Sequence, residues 1–283
     1  MSKKIAVIND LSGFGRCSLI AAISTISAMG VQACPLPTAI LTAQTEYPSY
    51  YCDDYTDKME HFRREWKKMG QRFDGIYTGF VASEAQIRNI FEFIDTFKEP
   101  ETFLLVDPVM GDDGVKYDTF TPKLLEEMKR LAKRADIITP NLTELCLLTG
   151  ADYEEIKEIS DYKELEERIG VLAKSFMVNG PKHVIVTGVR FVDETGVSMM
   201  GNMYFKGTEC SVCAFPYIGG SYSGTGDLFA SCLAAGIARG DEISQTIELA
   251  GEFLELALLD SVAEGIPEND GVNYEKYLAK LMK

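Results

Sequence analysis

The sequence of 283 residues predicts a mixed α/β fold whose mostly parallel β-sheet is covered by helices on both faces. Short apolar runs typical of buried parallel strands recur along the chain, and helical patterns with one apolar face separate them. No Pro-, Gly- or Ser-rich linker and no block of like charges divides the chain. The sequence therefore predicts a single domain over residues 1–283.

The first part of the chain contains two strand-helix pairs. The strand "KKIAVI" is followed by the glycine-containing loop "NDLSGFG" and a helix over residues 17–29. The strand "FDGIYTGF" leads into a helix over residues 83–98, where Ser83 and Gln86 match a capping box. The apolar face of that helix comprises Ile87, Ile90, Phe91, Ile94 and Phe97.

The same alternation continues through the middle of the chain. The strand "TFLLVDPV" precedes a helix over residues 122–134, and "ADIITPN" precedes one that begins near Leu142. A helix from about Asp161 precedes the strand "HVIVTG". Residues 197–215 instead form two alternating runs around a turn at Lys206, which predicts a hairpin at a sheet edge.

Charge and hydropathy exclude several classes of protein. The net charge is −15, from 28 Lys plus Arg against 43 Asp plus Glu, which argues against a nucleic-acid or anionic-membrane partner. Only four apolar residues in a row precede Asn9 and Asp10, too few for a signal peptide, and no run of eighteen apolar residues occurs. We therefore expect a cytoplasmic protein.

The seven cysteines indicate reduced thiols, since their number is odd and they are spread along the chain. Cys210 and Cys213 form a C-x-x-C pair, but "TECSVCAF" alternates like a strand, which points residues three apart to opposite faces. A zinc site would need a second pair of ligands, which the sequence lacks. We expect two ordinary thiols.

Polar residues follow the predicted strands. Ligands of open α/β sheets bind beyond the carboxyl ends of the strands, so these side chains are expected to lie close together. They are Asn9, Asp10, Thr45, Thr78, Asp107, Asp112, Asn141, Glu144, Thr187 and Asp227.

The stretch "GGSYSGTGDLFASCLAAGIARG" places Asp227 at the start of an apolar helix. A glycine-rich turn at a helix N-terminus suits a phosphate group, because its backbone N–H groups are unpaired and the helix dipole favours negative charge. Neither a Walker motif nor a complete dinucleotide fingerprint occurs. An acid beside such a turn can take a proton from an alcohol that attacks a phosphoryl group, which indicates a small-molecule kinase. Alternatively, Asp227 only stabilises the first helical turn.

The motif "SGTGDLFA" resembles the C-terminal signature of the ribokinase superfamily. Together, "DPVMGD", "TPNLTEL" and "INDLSGFGRCS" resemble its pyridoxal kinase branch, in the right order and across nearly the whole chain. The resemblance implies a three-layer α/β/α sandwich with no separate lid domain. It also implies a homodimer that uses ATP and Mg²⁺ to phosphorylate the 5′-hydroxymethyl group of pyridoxal, pyridoxine or pyridoxamine, with K⁺ as a further activator.

Carried to this chain, the resemblance implies roles for individual residues. Asp227 is the implied catalytic base, and the implied anion hole is formed by the backbone of Gly224, Thr225 and Gly226. The residues implied at the ATP phosphates and Mg²⁺ are Asp107, Asp112, Asn141 and Thr187, with Glu144 and Asp107 on the metal side. The residues implied at the acceptor are Asn9, Asp10, Thr45 and Phe80.

Each role has a simpler alternative. Asp107 precedes a proline and could start a turn, Asn141 could cap the next helix, and Thr45 could be an ordinary loop residue. The acceptor side also departs from the pyridoxal kinase pattern: Asn9-Asp10 replaces Ser-His, and "TAQT" over residues 42–45 replaces Ser-Asn-His-Thr. A hydroxymethylpyrimidine kinase, or a non-catalytic B6- or nucleotide-binding protein on the same fold, therefore stays an alternative.

Overall fold

Helices and strands alternate along most of the chain in the computed structural model, which describes residues 2–282. The strands are β1 (Lys4–Ser12), β2 (Gln32–Leu41), β3 (Cys52–Asp54), β4 (Gly75–Thr78), β5 (Phe103–Val106), β6 (Gly111–Asp112), β7 (Val115–Lys116), β8 (Ile137–Ile138), β9 (His183–Val192), β10 (Ser198–Lys206) and β11 (Glu209–Pro216). The α-helices are α1 (Ser18–Ala28), α2 (Thr56–Lys68), α3 (Glu84–Phe97), α4 (Pro122–Arg134), α5 (Leu142–Thr149), α6 (Tyr153–Lys157), α7 (Tyr162–Met177), α8 (Thr225–Arg239) and α9 (Ile243–Glu264). Two 3₁₀ helices follow at Glu268–Asp270 and Glu275–Leu281.

The described residues form two compact units. The first contains the residues up to Phe103 and those from Ile218 onward, and the second is Leu104–Tyr217. A single domain over residues 1–283 stays a prediction. The predicted α/β class with mostly parallel strands is confirmed.

In the first unit the strand order is β4-β1-β2-β3. β1 is parallel to both β4 and β2, and β3 is antiparallel to β2. The sequence pattern does not predict β2, because Pro35 and Pro37 interrupt it. The prolines are tolerated because β3 pairs only with Ala39, Ile40 and Leu41, which leaves the prolines without a strand partner on that side.

β1 is longer than the sequence predicts. It continues through Ser12, so Asn9 and Asp10 lie within the strand, and their expected place in a loop is wrong. Pairing of β1 with β2 resumes at Leu11 and Ser12 after a register shift between Asn9 and Leu11. Such irregularities change the direction in which neighbouring side chains point.

Most predicted helices have the expected bounds, but α3 differs in two details. The Ser83 hydroxyl accepts a hydrogen bond from the Gln86 N–H at 3.3 Å, whereas the Gln86 side chain accepts from the Ala82 N–H at 2.8 Å. Only half of the expected capping box therefore forms. Phe91 is half-buried, and Phe93 is buried on the apolar face, where its ring lies 6.0 Å from that of Phe73.

In the second unit the strand order is β5-β8-β9-β10-β11, and β10 and β11 form the predicted edge hairpin, with a turn at Gly207. Cys210 is exposed, Cys213 is half-buried, and all seven cysteines are free thiols. Within residues 2–282, no group of three or more His, Cys, Asp or Glu side chains is arranged to hold a metal ion directly. No helix of the same residues has the length and apolarity needed to span a bilayer.

Candidate active site

Asp227, in the first turn of α8, is held by hydrogen bonds to both of its carboxylate oxygens. The Asn9 side-chain amide donates to Oδ1 at 2.9 Å, and the Ser18 backbone N–H donates to Oδ2 at 2.8 Å. Asn9 lies on β1 and Ser18 begins α1, so two elements far from α8 in sequence fix the orientation of the carboxylate.

The side chain of Asn9 is fully buried. Its Oδ1 accepts from the backbone N–H groups of Phe80, at 2.8 Å, and Asp10, at 3.0 Å. Gly79 leaves room for this side chain, because a Cβ at position 79 would lie 2.4 Å from Asn9 Nδ2. The predicted acceptor role of Asn9 stays a prediction, and the structure places its amide against Asp227.

Burial raises the pKa of Asp227 to about 6, and the nearby Asp10 carboxylate acts in the same direction. The hydrogen bonds from Ser18 and Asn9 oppose this shift. Asp10 is buried, whereas Asp227 is half-buried, and the Asp10 carboxylate accepts from the Ser12 hydroxyl at 2.8 Å. The two acids form a negative pair whose affinity for protons is raised by desolvation.

The N-terminus of α8 has no side-chain cap. Its N-cap residue is Gly224, with φ +82°, and a Cβ there would lie 2.1 Å from the Arg16 carbonyl oxygen. Gly226 is exposed, and no atom lies within 4 Å of the position its Cβ would take. The Thr225 hydroxyl donates to the Tyr222 carbonyl at 3.2 Å. The backbone N–H groups of this first turn are available to an anion.

Phe80 contacts Asn9 directly, whereas Thr45 is connected to the loop before α8 through its neighbour Gln44. Thr45 is exposed, and the adjacent Gln44 is buried and donates to the Ser223 hydroxyl at 3.3 Å. Phe80 is half-buried, and its backbone N–H is the one bound by Asn9. The acceptor roles of Thr45 and Phe80 stay predictions.

Sequence reasoning missed Ser18 and Gln44. Ser18 adopts φ +52°, which is unusual for a residue other than glycine, and a backbone donor of this kind has no sequence signal. Gln44 lies inside "TAQT", where the pyridoxal kinase pattern has a histidine. This replacement was the sequence signal that could have identified Gln44.

Asn141 and Glu144 of the second unit form a capping box at the start of α5. Glu144 Oε2 accepts from the Asn141 N–H at 2.8 Å, and Asn141 Oδ1 accepts from the Glu144 N–H at 2.9 Å. Glu144 Oε1 also accepts from the Met110 N–H at 3.0 Å, and Asn141 Nδ2 donates to the Gly111 carbonyl at 2.8 Å. Glu144 is buried, so it is not an acid on the helix surface.

The other predicted residues of the second unit lie near this box. Asp107 is buried and accepts from the Thr139 hydroxyl at 2.9 Å. Burial raises the pKa of Glu144 well above its usual value, with further contributions from the charges of Asp107 and Asp112. Half-buried Thr187 forms a β-bridge with Asn141. The oxygen-rich, acidic donor set fits Mg²⁺ bound through water.

The fold resembles several solved structures. A Bacteroides thetaiotaomicron protein provisionally named a phosphomethylpyrimidine kinase is 36% identical, with a TM-score of 0.89 over 99% of this chain and 94% of that one. Another crystal form of it, with pyridoxal, has a TM-score of 0.86 over 99% and 96%. Pyridoxal kinase from Lactobacillus plantarum is 27% identical, with a TM-score of 0.86 over 99% and 96%. The fold and site thus define a ribokinase-like α/β protein.

The phosphomethylpyrimidine kinase family matches residues 17–271, and the chain therefore belongs to that family. A Schizosaccharomyces pombe protein provisionally named a pyridoxal kinase is 31% identical over 173 residues, which make up 58% of this chain and 46% of that protein. The chain thus spans less than half the length of this relative.

The raised pKa of Asp227 predicts how Asp227→Asn changes stability with pH. Because the folded state raises this pKa to about 6, the ionised carboxylate destabilises the fold above that pH. Both Asp227 oxygens accept hydrogen bonds, so the NH₂ group of the variant faces a donor and lowers stability at every pH. Relative to wild type, the variant should nevertheless be more stable at about pH 8 than at about pH 4. Thermal unfolding at both pH values measures this.

The control is Asp57→Asn, which removes an exposed acid from the first turn of α2. It should lose about 0.3 to 1 kcal/mol at about pH 8, because it loses a favourable interaction with the helix dipole. A loss in Asp227→Asn that is the same at both pH values, or that grows from about pH 4 to about pH 8, would contradict the prediction and assign Asp227 to helix stabilisation.

Proposed function

We propose that this chain uses ATP to phosphorylate the 5′-hydroxymethyl group of a vitamin B6 vitamer: pyridoxal, pyridoxine or pyridoxamine. The observation that carries the proposal is the Asp227 carboxylate, which two donors orient in the first turn of a helix without a side-chain cap. The pyridoxal in the Bacteroides structure and the name of the Lactobacillus enzyme support this acceptor.

In the proposed reaction Asp227 removes the proton of the 5′-hydroxyl group. The alcohol oxygen forms a bond to the γ-phosphorus of ATP, the bond from that phosphorus to the β,γ-bridging oxygen breaks, and ADP leaves. The N–H groups at Gly224, Thr225 and Gly226 stabilise the charge on the transferred group. Since the pKa of Asp227 is about 6, the base is mostly ionised at neutral pH, and turnover falls as the pH drops through this value.

The second unit supplies the proposed nucleotide and metal contacts. Asp107, Asp112, Asn141 and Thr187 serve the nucleotide, and Glu144 with Asp107 holds Mg²⁺ through water. When bound, the ion neutralises phosphate charge. Activation by K⁺ is proposed from the resemblance alone. The seven free thiols favour a reducing compartment such as the cytoplasm.

Hydroxymethylpyrimidine is the second candidate acceptor. The family carries the name of a pyrimidine kinase, and this chain departs from the pyridoxal kinase pattern at Asn9-Asp10 and residues 42–45. A non-catalytic binding protein is less favoured, because binding needs no oriented base with a pKa near 6.

A panel of acceptors tests the proposed function. Pyridoxal, pyridoxine, pyridoxamine and hydroxymethylpyrimidine are compared at equal concentration with ATP and Mg²⁺, and products are identified by mass. We expect 5′-phosphates of B6 vitamers, and turnover about 10² to 10⁴ lower in Asp227→Asn. Phosphorylation of the pyrimidine alone selects the second candidate, and vitamer binding without turnover selects the binding protein.

Glu144→Gln tests the proposed metal side. It keeps the volume of a buried side chain but replaces one of its two acceptor oxygens with an NH₂ group, which cannot accept from metal-bound water, so the Mg²⁺ concentration for half-maximal turnover should rise about 10- to 100-fold. The control Glu126→Gln removes an exposed acid from α4 and should leave that concentration unchanged. An unaltered Mg²⁺ requirement in folded Glu144→Gln would restrict Glu144 to its helix-capping role.

We also propose a homodimer, by analogy with pyridoxal kinases. Ile20 on α1 and Leu259 and Val262 on α9 are exposed apolar side chains of the first unit, which is consistent with a covered surface. Sedimentation at micromolar concentration should give twice the mass of the chain. A clean monomer would reject the dimer.

A further inference from the structure

We propose that Asn9 is a positioning residue that fixes the Asp227 carboxylate for removal of the alcohol proton. This inference rests on the proposed function and deepens it, since it assigns to Asn9 a role other than acceptor binding. Asn9 Nδ2 donates to Asp227 Oδ1 at 2.9 Å, and Asn9 is fully buried.

The surroundings of the Asn9 amide decide which of its ends faces Asp227. Its Oδ1 receives two backbone N–H groups, from Phe80 at 2.8 Å and Asp10 at 3.0 Å. Backbone N–H groups are donors only, so the amide oxygen must face them and the NH₂ group must face the carboxylate. The orientation is therefore set by the backbone, and a flipped amide would place its NH₂ group against two donors.

The space for this amide is also fixed. Gly79 has no Cβ, and one would overlap Asn9 Nδ2 at 2.4 Å and Oδ1 at 2.8 Å. Such distances are far below ordinary contact, so position 79 must stay without a side chain for Asn9 to reach Asp227. β1, the segment that follows β4 and the start of α8 thereby meet at one side chain.

The same amide connects the base to the predicted acceptor residue Phe80. Asn9 holds the Phe80 N–H, and the Thr38 hydroxyl donates to the Phe80 carbonyl at 3.1 Å. Thr38 therefore bonds the same residue as Asn9, but its hydroxyl donates to the Phe80 carbonyl and not to Asp227. This makes Thr38 a matched control site.

Two other titratable groups face Asp227. Asp10 on β1 raises the pKa of Asp227, and the Cys17 thiol at the start of α1 is buried, with its pKa raised to about 12. The thiol stays neutral through the acid range, and Asp10 is common to wild type and variants. A hydrogen bond from Asn9 lowers the pKa of Asp227, so its loss should move that pKa upward.

The experiment compares pH profiles of kcat/KM for the preferred B6 vitamer in wild type, Asn9→Ala, Asn9→Ser and Thr38→Val. In both Asn9 variants the midpoint of the acid limb of the kcat/KM profile should move to a higher pH by about one unit, because the Asp227 carboxylate loses the hydrogen bond from Asn9. Turnover should fall while KM for ATP changes little. In Thr38→Val the midpoint of the acid limb should equal that of wild type. Titration of the substrate affects all four proteins equally, so it does not produce a difference between them.

A folded Asn9 variant with the wild-type acid limb would overturn the proposal, with folding checked by circular dichroism. So would failure of both Asn9 variants to fold, because Asn9 would then act on the fold and not on the carboxylate. If the midpoint of the acid limb also moves to a higher pH in Thr38→Val, the shift is caused by a change at Phe80 and not by loss of the bond from Asn9 to Asp227. If wild type phosphorylates no vitamer, the proposed function itself fails. If wild type is active and Asp227→Asn is not, the profiles test Asn9 alone.

Discussion

A carboxylate that is partly shielded from water needs hydrogen-bond donors, and the first unit is organised around the donors that Asp227 receives. One donor is a side-chain amide from the interior of β1, and the other is a backbone N–H at the start of α1. Both depend on unusual local geometry, since Ser18 adopts φ +52° and Gly79 leaves the space that Asn9 occupies. Strain and missing side chains of this kind occur where the surrounding structure holds a functional group in place.

The hydrogen-bond donors to the two central acids differ between the units: Asp227 is half-buried and Glu144 is buried. Asp227 receives one amide and one backbone N–H, and its pKa rises to about 6, which suits a group that exchanges a proton near neutral pH. Glu144 receives the Asn141 N–H of its capping box and the Met110 N–H, and burial raises its pKa well above the usual value. In each unit a second acid adds to the effect, Asp10 in the first and Asp107 in the second. Paired acids of this kind attract a proton or a cation.

Local signals predicted the helices well. Caps and apolar periodicity involve residues at most a few positions apart, and α4 and α5 begin where Pro122 and Asn141 indicate. The failures involve partners that are distant in sequence. β2 was missed because the tolerance of Pro35 depends on which strand lies beside it. The reciprocal bond of the Ser83 capping box is predicted but does not form, because the Gln86 side chain instead binds the Ala82 N–H and the Thr38 carbonyl.

The order of residues alone predicts that acids, amides and glycines follow the strands, and that Asp227 begins an apolar helix after a glycine-rich turn. It could not determine which group each side chain contacts. Asn9 and Asp227 are separated by 218 positions, and their bond also requires the backbone N–H groups of Phe80 and Asp10 and the open space at Gly79. The contact between Asn9 and Asp227 follows from the folded chain alone, because a hydrogen bond depends on distance and direction in space, whereas a sequence pattern records order along the chain.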